Sequence, residues 1–446
     1  MIKVMGAALS ASLVWAGSAG AQAVTVSLTL KGVHSSQGNV MASLCDDPKA
    51  QFPGGCGPYR ALAKATAGDT VVTFPGVKPG RYALQAFHDE NGDFIPEVPP
   101  EGFAFGNGAP FPVSFEAATI QVTGDTRVEA TMTYPGGGAA PEPGGSKGTA
   151  PPPGVTRADV RDGGLYGELY APEHGARLPA IIVMGGSEGG LDVMSGMAIS
   201  FARQGYAALA LAYWKAPGLP QTLEGVPLEY FDRAVAWLKA RPEVDPKAIG
   251  AIGWSRGSEA VLLLGSRNPD VHAVAAIAPS GIVWQGLNYA DMRHVGAAWT
   301  AAGRPLPYVT PDGSAYRPNG PMRPMFTAAF PDADRRPETA IPVERINGPI
   351  LLISGEDDQL WPSSQMAGRI VARLQAKGFR HGVQNLVYPG AGHVAFAGAP
   401  DSAMAKALSR PSPMLGGSAE ADAKAWADNW PKALDFFKHA LKGGRR

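Results

Sequence analysis

This sequence lacks an excess of charge of either sign. Its 39 Lys and Arg balance 39 Asp and Glu, for a formal net charge of zero. Without a basic excess it has no general electrostatic hold on nucleic acid or an anionic surface. Cysteine is nearly absent: Cys45 and Cys56 are the only two in 446 residues. No paired-cysteine spacing and no His-Glu-x-x-His stretch points to zinc. Long hydrophobic runs are missing as well. The best candidate, Val4 to Gly17, is too short to span a bilayer comfortably. The glycine-rich stretch Gly185–Gly190 does not fit a dinucleotide loop, because Ser187 stands where the second glycine belongs. No Gly-Lys-Ser/Thr follows it, and Glu188 would repel a phosphate. No cofactor is expected. What remains is a soluble globular composition, 45% hydrophobic, with length for two or three domains.

Ser255 lies at the centre of Gly253-Trp254-Ser255-Arg256-Gly257. The apolar stretch Ala248–Ile252 before it predicts a buried strand. Ser258–Leu264 after it predicts a helix. Strand, sharp turn, helix is the context of a nucleophile elbow, with glycines allowing strand and helix to approach closely. A serine is a weak nucleophile and needs a base, which needs an orienting acid. The C-terminal third offers both, in the chain order of α/β-hydrolases. The strand Pro349–Ser354 ends in Gly355-Glu356-Asp357-Asp358. The strand Gly382–Tyr388 leads to Pro389-Gly390-Ala391-Gly392-His393. Asp358 is the preferred acid because Pro362, four residues on, marks where the next helix begins; Asp357 is the reserve. His393 is the base. None of His34, His88, His174, His272, His294, His381 and His439 combines a glycine-rich loop with a place after a late strand. The oxyanion hole is expected from the N–H groups of Arg256, after the nucleophile, and Ser187, after the strand Pro179–Met184.

From about Leu165 to the C-terminus the chain resembles the C-terminal domain of the acyl-CoA thioesterase and bile acid-CoA:amino acid N-acyltransferase family, which is related to dienelactone hydrolase. The resemblance rests on Val183–Gly190, Pro227–Phe231, the elbow and, above all, the long run Ile341–Ser363. It implies an α/β-hydrolase fold, a mostly parallel sheet with helices on both faces. It maps the family's nucleophile, acid and base onto Ser255, Asp358 and His393. The mammalian acyltransferase branch uses cysteine as nucleophile. Serine here favours hydrolysis of a carboxylic ester or thioester over transfer to an amine. Acyl-CoA thioesterase or N-acyltransferase-like activity is the second enzyme reading. An envelope-binding protein with an idle hydrolase fold is the reading from another class.

Met1-Ile2-Lys3, the short apolar run and the small residues Ala19-Gly20-Ala21 and Ala21-Gln22-Ala23 compose a cleavable secretory signal over residues 1–23. The expected location is therefore periplasmic or secreted. Residues 24–134 alternate apolar and polar in short runs such as Val24–Leu30, which predicts an all-β sandwich. With Pro79-Gly80-Arg81-Tyr82-Ala83 and His88-Asp89-Glu90-Asn91-Gly92-Asp93, this stretch resembles a widespread exported bacterial domain of unknown function. The resemblance supplies no activity and leaves an envelope or carbohydrate contact as its expected use. Residues 135–154, rich in Gly and Pro, form a linker. The hydrolase domain is 155–446. In an exported chain Cys45 and Cys56 are expected to pair, with two buried thiols as the alternative. Asp89, Asn91 and Asp93 alternate like calcium ligands, with Glu97 at the ninth position. The sixth-position glycine and twelfth-position glutamate are missing, so a tight Asn-Gly turn is preferred and no metal is assigned. Between Trp284 and Ile341 the α/β pattern breaks after the sixth expected strand of the sheet. Trp284, Trp299, Tyr308, Tyr316, Met322, Met325, Phe326 and Phe330 there either line an acyl pocket of a small-molecule substrate or form a cap core of their own.

Overall fold

The computed structural model describes residues 23–48, 52, 59–90, 101–110, 113–134, 151–288, 295–317, 320–396, 398–399 and 414–442. The chain divides into two compact units, Met1–Glu142 and Pro143–Arg446. Residues 1–22 of the expected leader, residues 135–150 of the expected linker, Cys56, His294, and Asn91, Asp93 and Glu97 of the calcium-like stretch lie outside the described residues.

The first unit is all β. Its strands are β1 (Val24–Val33), β2 (Asn39–Cys45), β3 (Tyr59–Lys64), β4 (Gly68–Val77), β5 (Gly80–Asp89), β6 (Gly102–Phe105), β7 (Thr119–Val122) and β8 (Thr126–Thr131). One sheet has the order β4-β1-β8, and the other β3-β2-β5-β6 with β7 also paired to β5. The period-2 pattern buries Val26, Leu28 and Leu30 of β1. They share one core with Val72 and Phe74 of β4 and with Val40, Leu44 and Leu84 of the other sheet, as two apolar faces of a sandwich do. Cys45 is disulfide-bonded. Asp89 is buried at the end of β5.

The second unit is an α/β sheet. Its strands are β9 (Val155–Val160), β10 (Tyr166–Pro172), β11 (Leu178–Met184), β12 (Ala207–Ala212), the short β13 (Val226–Pro227), β14 (Val244–Trp254), β15 (Val271–Ile277), the short β16 (Trp299–Ala301) and β17 (Arg304–Pro305), β18 (Ile350–Gly355) and β19 (Val383–Tyr388). Eight of them form one sheet, ordered β9-β10-β12-β11-β14-β15-β18-β19. It is parallel except around β10, which runs antiparallel to both neighbours. β11, β12, β18 and the Ala248–Trp254 part of β14 are buried nearly throughout, as strands with helices on both faces are. Helices α1 (Asp192–Ala202), α2 (Glu229–Lys239), α3 (Arg256–Arg267), α4 (Arg323–Ala328), α5 (Phe330–Arg335) and α6 (Ser363–Ala376) precede a C-terminal helix, Ala419–Lys442. Phe231, Leu262 and Ile370 of α2, α3 and α6 join one core, and Met197, Phe201 and Phe437 of α1 and the C-terminal helix join the other. This architecture is the α/β-hydrolase fold.

The insert follows β15, the sixth strand of the main sheet. It is tied to the body: β16 pairs with β13 and with β17. Among the described residues no helix is long and apolar enough to cross a membrane. No group of three His, Cys, Asp or Glu among them is placed to hold a metal.

Candidate active site

The elbow is built by contact. β14 sits between β11 and β15, and its last residue, Trp254, leads directly into Ser255. Ser255 has φ 56° and ψ −120°, a region costly for any residue with a Cβ. The turn leaves no room beside it. A Cβ on Gly253 would run into the Gly257 carbonyl, and one on Gly257 into the carbonyls of Gly185 and Met184. Ser255 N–H donates to the Ile277 carbonyl at 3.0 Å, and its own carbonyl accepts from Ser258 N–H at 2.9 Å. Helix α3 opens at Arg256, so its first N–H groups point out of the helix at the nucleophile's side with no partner inside it.

The candidate acid and base follow the carboxyl ends of β18 and β19, where ligand groups of such sheets collect. Asp358 is 1% exposed and His393 2%. Asp358 Oδ1 accepts from Leu360 N–H at 3.0 Å and Trp361 N–H at 3.2 Å. Its Oδ2 accepts from Ser363 Oγ at 2.5 Å and lies 2.9 Å from His393 Nδ1. A proton on Nδ1 facing the carboxylate leaves Nε2 as an acceptor, and Nε2 lies 3.0 Å from Ser255 Oγ. Asp357 is exposed and turned elsewhere: its oxygens accept from Gln359 Nε2 at 2.5 Å and Gly417 N–H at 3.0 Å. Ser255, His393 and Asp358 therefore form one hydrogen-bonded line. The chemistry open to it is transfer of the serine proton to imidazole and attack on an acyl carbon.

The loop after β11 lies against the nucleophile: a Cβ on Gly186 would come within 2.8 Å of the Ser255 Cβ. Three side chains hold this loop. Tyr213 Oη donates to the Gly185 carbonyl at 2.7 Å, and Trp214 Nε1 to the Gly186 carbonyl at 3.2 Å. Glu188 accepts from Gly186 N–H at 2.7 Å. In a trans peptide the carbonyl and the following N–H point opposite ways. Fixing the Gly186 carbonyl on Trp214 thus fixes the direction of the Ser187 N–H. Ser187 itself is part-buried. Tyr213 and Trp214 directly follow β12, and nothing in their spacing announces this role.

Under the insert sits a buried ion pair. Arg256 Nη1 lies 3.0 Å from Glu259 Oε2, one helical turn on. Arg256 Nη2 also donates to the carbonyls of Trp284 at 3.3 Å and Gln285 at 3.0 Å. Glu259 Oε1 accepts from Trp284 N–H at 3.1 Å and Trp299 Nε1 at 2.7 Å. Burial pushes the Glu259 carboxyl up from 4.5 to about 7, against the pull of Arg256 and these donors. The insert's aromatics divide between two surroundings. Trp299 packs on Tyr213 and Phe231 in the main core. Trp284 meets Phe326, Phe326 meets Trp361, and Trp361 meets the His393 ring at 6.0 Å. Tyr316 is half exposed.

Comparison with known proteins points the same way for the second unit. Residues 226–443 match the family described as BAAT / acyl-CoA thioester hydrolase C terminal. Residues 28–130 match a family described as an uncharacterized protein conserved in bacteria. The chain is 32% identical over 305 residues to acyl-coenzyme A thioesterase 1 of Homo sapiens, covering 66% of this chain and 67% of the relative. It is 34% identical over 307 residues to acyl-coenzyme A amino acid N-acyltransferase 2 of Rattus norvegicus, covering 66% and 68%. Of the mitochondrial acyl-coenzyme A thioesterase 2 of Homo sapiens it spans 58%, at 32% identity. Among solved structures it is similar to a dienelactone hydrolase-like promiscuous phosphotriesterase from metagenomic libraries, 19% identical, TM-score 0.40, covering 64% of this chain and 98% of that one.

Proposed function

Because the chain belongs to the BAAT / acyl-CoA thioester hydrolase family, we propose that it is an exported serine hydrolase cleaving carboxylic esters or thioesters through an acyl-serine. The observation that carries this reading is the line Ser255 Oγ, His393 Nε2, His393 Nδ1, Asp358 Oδ2, with steps of 3.0 and 2.9 Å. Ser255 Oγ attacks the acyl carbon while His393 Nε2 takes its proton. Asp358 holds the imidazole and stabilises the imidazolium. The N–H groups of Arg256 and Ser187 receive the charge that develops on the carbonyl oxygen. The C–O or C–S bond then breaks, and His393 returns the proton to the leaving group. Water, deprotonated by His393, attacks the acyl-serine, and collapse releases the acid and restores Ser255.

The substrate proposal follows from the leader-like start of the sequence and from chemistry. An exported enzyme meets esters of the envelope rather than acyl-CoA. Attack on either passes through the same oxyanion, so preference is decided by binding of the leaving group. Short or medium acyl esters are expected to exceed acyl-CoA of matched length in kcat/KM. Esters and acyl-CoAs of graded length, with a serine-reactive phosphonate, test the whole reading. No turnover and no adduct on Ser255 would reject the hydrolase. A preference for CoA thioesters beyond about tenfold, or about 1.4 kcal/mol, would reject the substrate proposal alone. Amide formed when an amine is supplied would replace hydrolysis by transfer.

A further inference from the structure

The loop that carries His393 has little structure of its own, yet its backbone groups are engaged one after another. Gly392 N–H donates to Asp422 Oδ1 at 2.8 Å. His393 N–H donates to the Leu415 carbonyl at 2.8 Å, and the His393 carbonyl accepts from Trp254 Nε1 at 3.1 Å. The Val394 carbonyl accepts from Trp426 Nε1, and the Ala395 carbonyl from Asn429 Nδ2, both at 2.5 Å. Asp422, Trp426 and Asn429 stand at i, i+4 and i+7 of the C-terminal helix, which puts them on one face. All three are buried. Packing on that face is close: Ala391 and Ala395 of the loop share a small core with Ala425.

The same region reaches the acid. The Leu415 carbonyl accepts from Gln359 N–H at 3.3 Å as well as from His393 N–H. Gly416 bridges to Asp358 in the backbone. A Cβ on Gly392 would strike the Gly416 carbonyl. The segment Leu415–Gly417 is thus clipped between the two loops that bear Asp358 and His393, and the C-terminal helix begins directly after it.

We propose that Asp422 is a positioning residue: through the Gly392 N–H it holds His393 where one ring nitrogen meets Asp358 and the other meets Ser255. The proposal rests on the reading of His393 as the base. Asp422 acts as a hydrogen-bond acceptor, and its charge is secondary. Burial pushes its carboxyl up, as do the nearby Asp357 and Asp358 carboxylates, while the Gly392 N–H pulls the other way. A neutral acceptor of the same shape is therefore tolerated there.

The test uses the full-length chain and three variants, each checked by thermal melting. Misplacing a base by about an ångström costs on the order of 10²-fold. Asp422→Ala is expected to lower kcat on a p-nitrophenyl ester about 100-fold with KM within about twofold. Asp422→Asn, which keeps an oxygen for the Gly392 N–H, stays within about fivefold of wild type. Should Asp422→Ala fail to fold, Asn429→Ala gives the same kcat-only pattern in milder form. A second readout is independent of turnover: the far-downfield proton resonance of His393 Nδ1–H in its bond to Asp358. It is expected in wild type and Asp422→Asn, and lost in Asp422→Ala. A folded Asp422→Ala that keeps the resonance and kcat within about threefold overturns the proposal. So does an Asp422→Asn as impaired as the alanine variant. If wild type shows the resonance but neither hydrolyses esters nor takes the phosphonate, the functional reading fails, and the resonance alone then decides the positioning role.

Discussion

The two halves of the site are made in opposite ways. The serine half is coded locally. Residues 244–258 give a strand, a strained turn and a helix, and Gly253 and Gly257 satisfy contacts with the turn itself and the adjoining loop. The acid–base half is assembled from afar. Asp358 is aimed by the N–H groups of Leu360 and Trp361, and its loop backbone is held by Arg323 of α4 at 3.0 and 3.3 Å. His393 is held by Trp254, Leu415 and the C-terminal helix. A nucleophile needs one strained residue, which neighbours can enforce. A base needs two simultaneous hydrogen bonds, which requires bracing from several directions.

The sharpest way to break this comparison is to remove one member from each half. Ser255→Ala should lower kcat by about 10⁶-fold, because the line acts as a unit. Asp358→Asn should cost about 10⁴-fold, since the amide favours the wrong imidazole tautomer. Asp357→Asn should cost little, because its carboxylate faces Gln359 and Gly417. Steady-state rates with intact melting curves decide the matter. A silent Asp358→Asn beside an inactive Asp357→Asn would reverse the choice of acid.

Legibility in the sequence follows the same division. The elbow was readable from five residues and their flanks, and the strict alternation in Val24–Leu30 announced the sandwich strand. In the sequence Pro362, marking a helix start, favours Asp358 over Asp357. The physical reason is richer: its carboxylate caps the turn into Ser363 and takes the Ser363 hydroxyl. Asp422, Glu259 and Trp214 carry no signal of their roles in the sequence. Asp422 lies 30 positions from Gly392, and its 422/426/429 spacing announces a helical face without naming what the face holds. Glu259 has an ordinary place on an amphipathic helix until the insert folds over it. Long-range pairing of this kind leaves no local period to read. The parallel pairing of β1 with β8 was invisible for the same reason.

Glu259 sharpens the comparison from the serine side, because it braces the local elbow to the distant insert. Its carboxyl stands at about 7 in the folded chain, against 4.5 ordinarily. Between those values the folded state keeps a proton that the unfolded state has lost. The stability from this group is complete below about 4.5 and is lost as pH rises through about 7. Denaturant titrations of wild type and Glu259→Gln from pH 5 to 8 measure it. Wild type should lose on the order of 2–3 kcal/mol more than the variant, nearly all of it between pH 5 and 7, at about 1.4 kcal/mol per pH unit. Parallel curves would mean that the carboxyl is ionised throughout and that Arg256 outweighs burial.

The smallest expected effect tests how far the local coding of the serine half extends. Ser187 N–H is proposed for the oxyanion from its place in the loop after β11, and its direction depends on Trp214 holding the Gly186 carbonyl at 3.2 Å. Deleting an oxyanion donor outright costs about 10²–10³ in kcat. Trp214→Phe deletes the bond that orients one, along with part of a buried ring. The peptide keeps its trans geometry, and the one before it keeps its Gly186 N–H on Glu188, so the Ser187 N–H is loosened and not lost. About a tenfold fall in kcat, or about 1.4 kcal/mol, is the expected cost, with KM little changed. Ser187→Ala is the matching control, since it keeps the N–H and should stay within about threefold. A Trp214→Phe enzyme as fast as wild type would mean that the Gly185–Gly190 loop holds its own shape, as the elbow does. A Ser187→Ala loss as large as that of Trp214→Phe would move the donor from the backbone to the hydroxyl.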